Sequence, residues 1–126
     1  MGACFVKKRA YQGLGEELLH IVRSHRVEIP DTKAVSDYLA LYPELSDVVR
    51  IAVVFARSRF PQANLALKVY QDPEIDDLHL ALYVRTENYS VEFLVEIEHI
   101  EKELEPYLSR TKGWLILTTD FLGVKK

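Results

Sequence analysis

Four carboxylates, Asp72, Glu74, Asp76 and Asp77, crowd the stretch "DPEIDD". Asp72, Glu74 and Asp76 take positions 1, 3 and 5 of a nominal calcium loop. Such a loop also needs glycine at position 6 for its sharp turn and a bidentate glutamate at position 12. Asp77 and Tyr83 stand there instead, so the spacing excludes an EF-hand. An aspartate followed by proline is type I turn chemistry, and "DPEI" is expected to be a solvated turn. Glu96 and His99 form an E-x-x-H pair, one helical turn apart. Di-metal carboxylate bundles use two such motifs with two further glutamates on long helices. One copy is present, and Glu92, Glu96, His99 and Glu103 read as a solvated charged face. His20, His25, His79 and His99 offer no pair at ligand spacing on a strand. No metal, cofactor or catalytic residue is therefore expected.

The grouping with more chemical content is Lys68, Tyr70, His79, Tyr83 and Arg85. Strand parity places all five on one face of a hairpin. Aromatic rings interleaved with cations on a sheet can stack bases or grip a ligand. The same residue types are enriched at protein interfaces. Plain solvent exposure, or cover by the chain's own basic start, accounts for them equally. Asp120 should close the last strand near Arg85, which makes an Arg85–Asp120 ion pair an expected contact.

The elements that hold these residues are written in periodicity. Leu14, Leu18, Ile21 and Val22 recur at helical spacing, with Glu16 and Glu17 in the first turn. Asp31 or Thr32 caps a second helix carrying Val35, Tyr38, Leu39 and Tyr42, and Pro43 ends it. The segment 44–59 is rich in β-branched residues, yet its length, start signals and 3.6-residue period favour a helix apolar almost all round. Two alternating runs follow, 64–70 and 78–84. Leu65, Leu67, Val69, Leu78, Leu80, Leu82 and Val84 share a face. Opposed residues lie on the same face, so Val69 must oppose Leu78 or Leu80. The second choice pairs Lys68 with Ala81 and Asn64 with Arg85. Phe93, Ile97, Ile100 and Leu104, widened by Leu94, Tyr107 and Leu108, make an amphipathic helix capped by Ser90. Pro106 should stop or kink it. "GWLILTTDF" is a last strand. A strand–helix–strand crossover sets the last strand parallel to 78–84. The fold class predicted is α+β: three N-terminal helices, then β-hairpin, amphipathic helix and final strand. The sheet is expected to be three-stranded, mainly antiparallel, in spatial order 2-1-3, with helices on one face.

Composition bounds the function. The chain has 126 residues, 48% hydrophobic and 28% charged, as expected of a single domain. Residues 1–12, with Lys7, Lys8 and Arg9, read as a flexible basic arm. Net charge is −3, which disfavours a nucleic-acid binder driven by bulk charge. Cys4 is the sole cysteine, so no internal disulfide can form. The start carries no apolar run of signal-peptide length, and no stretch has the ~20 apolar residues of a membrane span. A cytoplasmic protein without a membrane partner is expected.

The segments "FPQANLAL", "DPEIDDLHLALYVR" and "GWLILTTDF", with an acidic helix between the last two, are distinctive in combination. On them, residues 43–122 resemble a group of small uncharacterised bacterial proteins. The resemblance implies the same helix–hairpin–helix–strand arrangement and brings no activity, cofactor or site.

Three functional readings follow. The leading one is a non-enzymatic interaction module, self-associating as a homodimer or binding a protein partner through the outer sheet face or an open edge strand. The second is a small enzyme or ligand-binding protein built on Arg85, Asp120, His79 and Tyr83. The third is RNA binding on the sheet face.

Overall fold

A computed structural model describes residues 18–119 except 73, 75 and 76, and the side chains of Asp72 and Asp77 are also left aside. The expectations for the basic arm, for Cys4, Leu14, Glu16 and Glu17, for the tip of the acidic turn and for Asp120 lie outside the described residues. Helix α1 runs to residue 24. It is followed by β1 (Val27–Glu28), α2 (Thr32–Leu41), α3 (Leu45–Arg59), β2 (Asn64–Asp72), β3 (Asp77–Arg85), α4 (Val91–Leu108) and β4 (Leu115–Thr118). Among the described residues the class is α+β, with four helices and a four-stranded mixed sheet.

Local chemistry explains the boundaries. The Asp31 carboxylate accepts from the Ala34 N–H at 3.1 Å, satisfying one of the free donors at the start of α2. Ser90 does the same for Phe93 at 3.1 Å at the start of α4. The segment 44–59 is helical despite its β-branched residues. Burial along it is one-sided: Leu45, Val48, Val49, Ala52, Val53 and Ala56 are buried, while Val54 is exposed. The expectation of an all-round apolar core helix is corrected accordingly. Pro106 sits in the last turn of α4, which still runs to Leu108. In α4, Leu94 and Tyr107 are exposed rather than widening the buried stripe.

The hairpin takes the second of the two registers that the alternation allows. Val69 opposes Leu80, Lys68 opposes Ala81, and Asn64 opposes Arg85. A slip of one residue would turn the leucines of one strand to the wrong face. Leu65, Leu67, Leu80, Leu82, Val84, Leu115 and Leu117 join the buried residues of all four helices in one core cluster.

The order 2-1-3 is corrected. The sheet order is β1-β2-β3-β4, and the last strand lies beside β3, not beside β2. It runs parallel to β3, with Leu80 beside Leu115 and Leu82 beside Leu117. The physical reason is β1. Val27 and Glu28 pair in parallel with Leu65 and Ala66 and fill the edge of β2. The last strand therefore takes the free edge of β3, the neighbour to which the α4 crossover delivers it most directly.

Candidate binding surface

The outer face of the sheet is built by alternation. Reading across the strands, Glu28, Ala66, Tyr83 and Thr118 form one row, and Lys68, Ala81 and Ile116 form the next. Tyr70 and His79 oppose one another, with ring centroids 5.1 Å apart. The Lys68 ammonium lies 5.7 Å from the centre of the Tyr83 ring, a diagonal cation–π contact across the hairpin. Four of the five predicted residues, Lys68, Tyr70, His79 and Tyr83, thus make two adjacent pairs. Tyr70 is 41% exposed, whereas Ala66 and Ala81 beneath the patch are fully buried. The His79 Nε2 is buried without a hydrogen-bond partner among the described residues.

Arg85 stands apart from these four. It is 5% exposed, and its guanidinium lies 3.8 Å from the Glu28 carboxylate. Asp120, its expected partner, lies outside the described residues. Among the described residues, the Glu28 carboxylate comes from the short strand β1, two strands away in the sheet. The pair ties β1 to the hairpin.

A second feature lies on the far side of β4, which pairs with no further strand among the described residues. In a parallel ladder, alternate residues of a strand direct their N–H and C=O groups to the same neighbour. The Leu80 N–H donates to the Trp114 carbonyl at 2.9 Å, so Trp114 and Ile116 serve β3. Leu115 and Leu117 direct their backbone groups away from β3, yet both residues are buried at 1% exposure. A groove of about 120 Å³ runs along this edge, lined on the α4 side by Glu101, Leu104, Glu105 and Leu108 and closed by Trp114. Trp114 is 45% exposed. Burial raises the pKa of Glu101 above the ordinary carboxylate range. The Leu117 backbone N–H, directed at the carboxylate, opposes that rise, and Glu98 and Glu105 add to it by repulsion.

Sequence reasoning missed this groove. A signal existed: Glu101 and Glu105 each follow a buried stripe residue, Ile100 and Leu104, so both border the apolar stripe of α4. The acidic face of α4 is also less solvated than expected. Arg59 of α3 forms ion pairs with Glu96 and with Glu103, the latter at 3.6 Å, and the E-x-x-H glutamate is an interhelical tie. Among the described residues, no group of three or more His, Cys, Asp and Glu side chains is placed to hold a metal ion. No helix among them is long and apolar enough to cross a membrane. No family model, curated protein or solved structure matches this chain.

Proposed function

We propose that the protein is a non-enzymatic interaction module that binds a protein partner through the outer face of its sheet. The supporting observation is the half-exposed Tyr70, its ring 5.1 Å from that of His79, beside the Lys68–Tyr83 cation–π contact. Aromatic side chains of this kind are enriched at protein interfaces. The enzyme reading is weaker because Arg85 is buried against Glu28. The net charge of −3 argues against RNA.

Site-specific photo-crosslinking in the native host tests this reading. A crosslinker replacing Tyr70 should give a discrete adduct. One replacing Lys33, exposed on α2, should not. Equal adducts at both positions, or none at Tyr70, would contradict it.

A further inference from the structure

Resting on that reading, we propose that the outer face takes a proline-rich partner segment in the polyproline II conformation, laid across the strands from Tyr70 to Trp114. The ladder sets the placement. Leu80 lies beside Leu115 and Ala81 beside Ile116, and the Leu80 N–H bonds the Trp114 carbonyl. Trp114 is thus level with His79. Its parity with Ile116 turns it to the outer face, at the corner that meets α4. Tyr70 opposes His79 from the other side. Tyr70, His79 and Trp114 therefore form one row across β2, β3 and β4. Its two ends stand out, at 41% and 45% exposure, while His79 between them is half-buried.

Spacing and hydrogen bonding select the occupant. Two strand spacings separate the ends of the row, roughly 9.6 Å. A polyproline II turn advances about 9.3 Å in three residues, so prolines at i and i+3 meet both rings. An extended strand repeats each face at about 6.7 Å and misses this interval. Seven residues of helix advance about 10.5 Å, but helical carbonyls are already bonded within the helix. That difference decides, because the row carries donors. Among the described residues, neither the Tyr70 hydroxyl nor the Trp114 indole N–H has a hydrogen-bond partner. A polyproline II backbone offers carbonyls that are bonded to nothing, and it is stiff before it binds. The Tyr70–His79 ring contact holds one of the two ridges in place.

The probe is a fluorescein-labelled, capped peptide with proline at every third position among alanines. It is titrated into the full-length protein and read by anisotropy. Expected is saturable binding. A peptide with glycine at each proline position, and one with its prolines two residues apart, should each bind about tenfold more weakly. Tyr70→Ala should weaken the proline peptide about tenfold with an unchanged urea midpoint. Trp114→Phe keeps a ring and removes the indole donor, and should weaken it about threefold. Equal affinity for the three peptides, or unchanged affinity of either variant, would overturn the proposal. A partner crosslinked at Tyr70 that the proline peptide does not displace would overturn the proline-rich assignment and leave the interaction reading standing. No adduct at Tyr70 together with no peptide binding would remove both.

Discussion

The hydroxyl of Tyr38 accepts a hydrogen bond from the Trp114 N–H at 3.1 Å. It also donates to the Leu78 carbonyl at 3.1 Å. One phenol on α2 thus fixes where β4 begins and where β3 emerges from the hairpin turn. It therefore also positions the tryptophan of the candidate groove. Tyr38 is 4% exposed, so its hydroxyl needs these two partners in place of water.

Tyr38→Phe leaves those two groups without this partner. The expected cost is about 1–3 kcal/mol of stability, the penalty for unpaired buried polar groups. Chemical denaturation should show it, with Trp114 emission red-shifted in the native baseline. An unchanged midpoint and spectrum would show that the hydroxyl positions nothing.

Arg57 gathers the carbonyls of His25, Arg26, Phe60, Pro61 and Ala63 at 2.8 to 3.4 Å. Its guanidinium ties the corner before β1 to the turn before β2. That corner also holds Arg26 at a φ of 63°, the left-handed region. A lysine has no planar fork to serve so many acceptors. Arg57→Lys should therefore lower stability by ~2 kcal/mol, nearly as much as Arg57→Ala. Urea midpoints of the two variants check this, and a silent lysine variant would refute it.

Gly113 is required by close approach. A Cβ built there would lie 2.5 Å from the Leu45 Cδ1 and 2.7 to 2.8 Å from the Tyr42 Cγ and Cβ. The Leu45 methyl can rotate aside, but the Tyr42 Cβ is fixed to its backbone. Gly113→Ala is expected to cost about 1–3 kcal/mol by overpacking. Thermal unfolding measures the loss, and a gain in stability would contradict the packing described.

Glu101 gives a pH dependence. Its carboxyl pKa is raised in the fold, by burial first. A raised pKa means the native state binds its proton more tightly than the unfolded chain does. Its charge is therefore a cost at neutral pH, and that cost disappears as pH falls through the raised value. Glu101→Gln should raise the melting temperature at neutral pH, and the gain should fade in acid. A gain that persists or grows in acid would reverse the sign.

Much of the fold is legible in the residues themselves, for particular reasons. The parity of the hairpin register follows from seven apolar residues that must share one face, while parity alone leaves Leu78 and Leu80 both allowed opposite Val69. The Asp31 and Ser90 caps follow from side chains that replace missing helical acceptors. The neighbour of β4 was not legible, because it depends on β1. Two residues, Val27 and Glu28, carry no periodicity, and their pairing with Leu65 and Ala66 is set by tertiary contact. The same two residues account for the ion pair at Arg85. Arg85 reads as a surface cation until β1 brings Glu28 to it. The outer-face grouping of Lys68, Tyr70, His79 and Tyr83 follows from parity alone, whereas the groove depends on which edge β4 occupies.

The Tyr70–His79 pair carries the proposed interface most directly. Titration of the crosslinked partner against a Tyr70→Ala, His79→Ala double variant measures it. A loss of affinity of about tenfold or more, with an unchanged urea midpoint, is the predicted result. Unchanged affinity would contradict an interface on this face.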